Sequence, residues 1–385
     1  MTVGHGQMKV EGNARRRGAR AAGIASIMVS ALALLGVQSA HALASPLCTF
    51  DGKTGTVRVA VNGAVTLSRA LDGHILVGGG TCVDPVLVPL IKLDPAATIS
   101  NTRTVNVVGS VNNDTFTINV VRPLANPTTG NEIRINVDLV LGTDTLVVVG
   151  GASADKFLIG TSTGGAFPVG TRLINLNGDG DAEVTSVNVE RHTLNGGAGP
   201  DRISGSGGPS VGGPFVLPLT LVGGLGDDQL TGGDANDSLQ GDAGNDIEQG
   251  AQGNDTFNEG LVANGADDLI GGLGTDTTTY KGRSALDPVT VVQNGLGNND
   301  DGSVGEGDDV FTENVVGGAG NDSLTGNPAA NVLTGGPGVD VLNGMGGADT
   351  LNALDGVGGD TVNGGVDAVA DVCKVDVGDI VTNCP

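Results

Sequence analysis

A nine-residue repeat governs what this chain can fold into. From Gly223 four units run without a break: Gly-Gly-Leu-Gly-Asp-Asp-Gln-Leu-Thr, then units opening at Gly232, Gly241 and Gly250. Aspartate holds the sixth place each time, as Asp228, Asp237, Asp246 and Asp255. A three-residue insertion, Glu259 to Leu261, shifts the phase, and units from Val262 and Gly271 put Asp267 and Asp276 in sixth place. A second array opens at Gly317 and continues from Gly326, Gly335 and Gly344, with Asp322, Asn331, Asp340 and Asp349 in sixth place. An isolated unit, Gly196 to Ser204, supplies Asp201. A short fixed period of this kind marks a solenoid, in which each repeat buries its apolar face only against its neighbours.

The chemistry of one unit follows from its parts. Its first six residues form a turn whose unusual φ/ψ glycine adopts without steric cost. Its last three form a short strand with the apolar residue facing inward. Two units complete a coil, so the sixth place returns to the same edge every 18 residues, with coils ~4.8 Å apart. Asp228 is then expected over Asp246, and Asp237 over Asp255. Carboxylates at that spacing repel unless a cation lies between them. Turn carbonyls face the same space, which suits a hard cation taking about six to eight oxygen ligands at ~2.3–2.6 Å, as Ca²⁺ does. Mg²⁺ fits less well, because it demands stricter octahedral geometry and keeps its water.

These units resemble the RTX, or hemolysin-type, calcium-binding repeat, over residues 190–385, about half the chain. The resemblance implies an all-β fold, a right-handed parallel β-roll (a β-solenoid), with Ca²⁺ held between turns. Carried over residue by residue, it implies carboxylate ligands at Asp201, Asp228, Asp237, Asp246, Asp255, Asp267, Asp276, Asp322, Asp340 and Asp349. Carbonyl ligands would come from turn residues such as Gly223, Gly224 and Gly226. Asn331 carries no charge and its unit lacks the usual glycines, so a site there is expected to be weaker. Many members of the family also carry an uncleaved C-terminal export signal. This chain shows an N-terminal signal and a C-terminal cysteine loop instead, which sets it apart from that export route and from the family's toxins.

Composition agrees with a thin stacked core. Aromatic residues make up 2% of the 385, with no Trp and one Tyr, too few to fill a broad globular interior. The net charge is −24. Residues 1–44 hold five of the 19 basic residues and one of the 43 acids, so the remainder has 14 basic against 42 acidic residues, −28. Such a chain repels nucleic acid and anionic membrane surfaces and attracts cations.

The N-terminus reads as an export signal. Arg15, Arg16, Arg17 and Arg20 form a basic region, an apolar stretch runs from Ala21 to about Val37, and Ala40-His41-Ala42 and Ala42-Leu43-Ala44 offer small-x-small cleavage sites. After cleavage no integral membrane segment is expected. Cys48, Cys82, Cys373 and Cys384 remain, an even count that favours disulfides in an oxidising compartment. Three pairings are open; Cys48–Cys82 with Cys373–Cys384 would staple the two ends. The mature histidines, His74 and His192, stand in no ligand-like spacing with them, which argues against zinc.

The expected layout is a signal peptide at 1–44, a disulfide-bonded β-rich cap at 45–103 and a degenerate solenoid-like region at 104–195. The first array spans 196–279, an acidic insertion 280–316, the second array 317–364 and a C-terminal cysteine loop 365–385. Strands rich in β-branched residues fill the upstream half, and Gly109 to Asp114 and Gly150 to Asp155 look like decayed repeats. The acidic loop Asn298 to Asp309 is expected to be a solvated excursion. Asn175 to Ser186 faintly resembles an EF-hand loop, but Ser186 stands where the closing Glu belongs, so a turn is the stronger expectation.

Catalytic motifs are scarce. Gly160-Thr161-Ser162-Thr163-Gly164 matches a nucleophile elbow, followed by Asp179 and His192, but no helix follows, as that motif needs. The sequence therefore points to a non-enzymatic, secreted, calcium-binding protein with a structural or interaction role. It would act outside the cell, with cell-surface association as an option and an unidentified protein or surface glycan as partner. A cytolysin, and a hydrolase carrying the repeats as an accessory module, are the alternatives.

Overall fold

The computed structural model describes residues 48–51, 54, 56–69, 74–78, 80–81, 102–120, 132–295, 297, 299–366 and 370–384. The segment 1–44, expected to be a signal peptide, and Cys82 lie outside the described residues. Every regular element among the described residues is a β-strand. The strands form three sheets of 12, 14 and 6 strands, called I, II and III below. Most neighbours within a sheet run parallel, which is how successive turns of a solenoid pair.

In the first array the chain alternates between two facing sheets. Gln229–Thr231, Ile247–Gln252 and Asp268–Leu273 belong to sheet I, while Ser238–Ala243, Thr256–Asn258 and Thr277–Thr279 belong to sheet II. Strand pleating turns the eighth residue of each unit inward. These residues stack in columns: Leu221, Leu239 and Phe257 in sheet II, and Phe157, Ile203 and Leu230 in sheet I. All six are essentially inaccessible. Each such Leu or Phe contributes ~1.5–3 kcal/mol of burial. One inward side chain per short strand is enough, which is why so few aromatics suffice.

Sheet II runs the length of the solenoid, but its partner changes. Sheet I ends at Asp309–Phe311, and sheet III begins at Val289–Val292 and continues through Ser323–Thr325, Val341–Asn343, Thr361–Asn363 and Ile380–Thr382. The second array repeats the packing with Val291, Leu324, Leu342 and Val362 opposite Val315, Leu333 and Leu351.

Three expectations about layout need correcting. The solenoid does not begin near residue 104. Thr56–Ala60 already pairs parallel with Thr104–Val108, and Ala64–Arg69 with Thr115–Asn119, so among the described residues only Cys48–Asp51 and the strands Ile75–Val77 and Gly80–Thr81 add antiparallel pairing at that end. Upstream strands are longer and carry two inward residues each, such as Val105 with Val107 and Phe116 with Ile118, so they stack without the nine-residue signature. Within the expected loop 365–385, residues 370–384 form the last coil: Val372–Lys374 continues sheet II, and the Cys373–Cys384 disulfide ties it to the neighbourhood of Ile380–Thr382. Cys48 is disulfide-bonded as well. Finally, most acids of the loop expected to be solvated are buried. Asp301, Glu306, Asp308 and Asp309 are buried, while Asp300 is exposed, because this segment crosses between the two arrays.

Candidate metal sites

The two oxygens of a sixth-place carboxylate have different surroundings. One oxygen accepts a backbone N–H from one coil back, in most units that of the preceding sixth-place residue, but that of Leu219 on Asp237 and of Val289 on Asp322. Asp246 Oδ1 takes Asp228 N–H at 2.7 Å, Asp255 Oδ1 takes Asp237 N–H at 2.7 Å, and Asp340 Oδ1 takes Asp322 N–H at 2.8 Å. The ladder continues from Asp201 to Asp228, Asp246 to Asp267 and Asp255 to Asp276. Asp349 accepts Asn331 N–H at 2.8 Å in the second array. The expected stacking of Asp228 over Asp246 and Asp237 over Asp255 is thus the arrangement found.

The other oxygen, Oδ2, lies over the first glycine of its own unit. A Cβ at Gly223 would stand 2.3 Å from Asp228 Oδ2 and 2.6 Å from the Gly241 carbonyl oxygen of the next coil. The same crowding holds at Gly241 against Asp246, Gly250 against Asp255, Gly335 against Asp340 and Gly344 against Asp349. The first glycine is required because its missing side chain leaves an oxygen-lined cradle.

The second residue of the unit divides the turns into two kinds. Where it is left-handed, as at Gly197, Gly224, Asp242, Ala251, Gly272 and Gly336 (φ 101, 115, 68, 78, 108 and 102), its N–H does not reach the carboxylate. Oδ2 of Asp201, Asp228, Asp246, Asp255, Asp276 and Asp340 is then buried without a hydrogen-bond partner among the described residues. Met345, preceding Asp349, shares this conformation (φ 72). Where the second residue is not left-handed, its N–H closes on Oδ2: Gly233 on Asp237 at 2.6 Å and Gly318 on Asp322 at 2.7 Å. Asn331 belongs to the closed kind, with Asn327 N–H on its Oδ1 and its amide donating to Glu313 O. The decayed repeats do too, with Ser110 N–H on Asp114 and Gly151 N–H on Asp155.

Burial is the leading cause that lifts these carboxyls above their ordinary 3.8. Asp201, Asp228, Asp237 and Asp246 rise to about 6, and Asp255, Asp267 and Asp340 to about 7. Stacked neighbours add to this, Asp246 acting on Asp228 and Asp276 on Asp255. Asp276 and Asp322 are raised in the same direction. Buried acceptors that lack donors and repel one another fit a divalent cation. The donors that fit Ca²⁺ are the orphan Oδ2 atoms with neighbouring turn carbonyls such as that of Gly241. Bound there, Ca²⁺ would neutralise the stacked charges.

Some site residues escaped the sequence reading. Asp360 Oδ2 is buried and without a partner among the described residues, and its Oδ1 accepts Asp340 N–H at 2.7 Å. Asp371 accepts Asp349 N–H. Irregular spacing hid both, for they follow the preceding rung by 20 and 22 residues rather than 18. The Asp-x-apolar-Asn ending of Asp360-Thr361-Val362-Asn363 was the available signal. Asp144 also has an orphan Oδ2, behind left-handed Val140.

The remaining motifs resolve differently. Ser162 Oγ donates to Phe167 O and accepts Gly164 N–H, while His192 Nε2 pairs with Ser186 Oγ at 3.0 Å, so the elbow and its supposed partners do not assemble. Burial pushes His192 down to about 3, leaving it neutral. The EF-hand-like loop closes as Asx turns, Asn175 Oδ1 accepting Asn177 and Gly178 N–H, yet it gathers Glu132, Asp179, Asp181 and Glu183 with ligand atoms within 4.8 Å.

A parallel β-solenoid edged by orphaned, stacked carboxylates defines a class of cation-binding repeat. The family model of the RTX calcium-binding nonapeptide repeat (four copies) matches residues 193–208, 220–257, 305–342, 316–351, 325–360 and 334–368. Over these segments the repeats match the RTX calcium-binding nonapeptide repeat, as the resemblance in the sequence implied. Asp267 and Asp276 lie between the matched segments. No curated protein matches the chain. Among the described residues no helix is long and apolar enough to cross a membrane.

Proposed function

We propose that this chain is an exported, non-catalytic β-roll that folds outside the cell when Ca²⁺ reaches its turns, and that it then serves as a structural or interaction element. The observation that carries this reading is the row of buried Oδ2 atoms without donors, at Asp201, Asp228, Asp246, Asp255, Asp276 and Asp340. At the pH outside a cell these groups would be ionised against their raised pKa values, so the metal-free array is strained by its own charge. Binding energy then becomes folding energy. A cytosol poor in Ca²⁺ would keep the acidic chain loose for export. The disulfide Cys373–Cys384 supports an oxidising destination.

Far-UV circular dichroism of the chelated chain, titrated with Ca²⁺ and separately with Mg²⁺, tests the reading. A cooperative rise in β-signal with Ca²⁺ alone is the expected result. A chain fully β-folded under chelation and indifferent to Ca²⁺ would overturn it.

A further inference from the structure

The joint between the two arrays holds carboxylates where the solenoid otherwise stores apolar side chains. Glu248 occupies the inward eighth place of its unit, in register between Leu230 and Leu269. Glu259 opens the insertion that breaks the nine-residue phase, and Glu306 and Asp308 come from the acidic crossing. All four are buried, Glu248, Glu259 and Asp308 at 0% exposure. One carboxylate oxygen from each of Glu259, Glu306 and Asp308 lies within 4.8 Å of the others.

The surroundings hold only some of this charge. Arg283, the one Arg or Lys buried among the described residues, clamps Glu306 through both amino groups, at 2.6 and 3.1 Å, and donates to the Glu259 carbonyl. Ser303 N–H and Asn264 N–H also reach Glu306. Tyr280 OH donates to Asp308 Oδ2 at 2.8 Å, and Asp267 N–H to Asp308 Oδ1. Glu259 is different. Both of its carboxylate oxygens are buried with no hydrogen-bond partner among the described residues, as is Glu248 Oε2. A single guanidinium cannot balance Glu259, Glu306, Asp308 and Glu248 together, and buried carboxylates need a counter-charge or a proton.

We propose that Glu259, Glu306 and Asp308 form an internal divalent-cation site that locks the joint between the arrays. The donors are all oxygen, with no His or Cys in the group, which selects a hard cation, Ca²⁺ in the first instance. Asp308 continues the sixth-place ladder, its Oδ1 taking Asp267 N–H, but Glu259 and Glu306 stand outside that ladder, so the site adds interior ligands that no turn supplies. Its place explains why polar residues are tolerated here: Glu306 and Asp308 lie between Gly302–Ser303 at the edge of sheet III and Asp309–Phe311 at the end of sheet I, and Glu259 follows Thr256–Asn258 of sheet II, so a cation would tie all three together.

Tyr280 provides the readout. It is the only tyrosine, the chain has no tryptophan, and its hydroxyl already touches Asp308. Tb³⁺, which substitutes for Ca²⁺, should therefore show tyrosine-sensitised emission when added to the full chain. Decay rates in H₂O and D₂O should reveal a component with no more than about one bound water, because protein oxygens fill most of the coordination shell. Glu259→Gln should abolish that component and lower bound Ca²⁺ by about one ion per chain, whereas Asp228→Asn should leave the component intact. Unchanged emission and stoichiometry in Glu259→Gln would overturn the proposal and show that the cluster is neutralised by protons. Should Glu259→Gln fail to fold by circular dichroism, the wild-type decays decide alone: a dehydrated component supports the site, and its absence refutes it. Loss of ions in Asp228→Asn is read separately, so failure of the turn sites and failure of the joint site are distinguishable.

Discussion

Two isosteric substitutions, Asp246→Asn and Asp237→Asn, should differ in their effect on the metal-free chain. In wild type, burial lifts the Asp246 carboxyl from 3.8 to about 6, with the Asp227 and Asp242 charges adding to it. A folded-state pKa above the unfolded value means stability is fully present below pH 3.8 and is lost as pH rises through about 6. Taken at face value the charge costs about 3 kcal/mol at pH 7.5. Solvent at the turn edge screens part of it, leaving about 1–2 kcal/mol. Asparagine removes that charge, while its carbonyl still accepts Asp228 N–H and its amide meets the oxygen-lined cradle over Gly241. Under chelation at pH 7.5, Asp246→Asn should therefore raise stability by about 1–2 kcal/mol, or roughly 2–4 °C in Tm per kcal/mol. In saturating Ca²⁺ it should be less stable than wild type, because a charged ligand is gone. Asp237 holds two N–H donors, Leu219 on Oδ1 and Gly233 on Oδ2. Burial lifts Asp237 to about 6 as well, so an amide there relieves a similar charge but loses one acceptor worth about 1–3 kcal/mol, and Asp237→Asn should gain little or nothing under chelation. Thermal melts of the three proteins in chelator and in Ca²⁺ supply the comparison. Equal destabilisation of both variants under chelation, or an unaltered Ca²⁺ response in Asp246→Asn, would refute the division of turns into open and closed kinds.

Calcium affinity should fall as pH drops through the range 7 to 6, because the ion competes with protons for Asp255 and Asp340 (about 7) and Asp228 and Asp246 (about 6); calorimetric titration at several pH values checks this, and a flat profile would contradict it. The metal-free chain should show the reverse trend, gaining stability as pH falls through the same window. Gly223→Ala should cost at least about 2 kcal/mol, since its methyl would meet Asp228 Oδ2 at 2.3 Å, while Gly213→Ala, whose nearest contact is 3.5 Å, should cost much less; paired denaturant melts would show the contrast. Cys373→Ser should loosen the last coil, removing a cross-link of separation 11 worth about 2–3 kcal/mol, which hydrogen exchange would detect at Val372–Lys374 and Ile380–Thr382 while the first array stays protected.

Sequence alone determined the repeat, and with it much of the architecture. A sixth-place aspartate at strict spacing and an apolar eighth residue left one economical packing, so the stacking of Asp228 on Asp246 and the Leu239–Phe257 column could be read before any coordinates. The upstream coils were less legible, because Thr56–Ala60 and Thr104–Val108 pair in parallel across a long and irregular interval that leaves no period. What only the tertiary structure decided was the state of each carboxylate. Asp228 and Asp237 sit in nearly identical units, yet a left-handed Gly224 turns its N–H away from the first, while Gly233 closes on the second. Glycine permits both backbone conformations, so the letters cannot choose between them. The acidic crossing shows the same limit: its charges predict solvent, and contacts from distant segments bury them. Glu259, Tyr280, Arg283, Glu306 and Asp308 meet only because sheet I gives way to sheet III at that point, and local sequence has no term for such a junction.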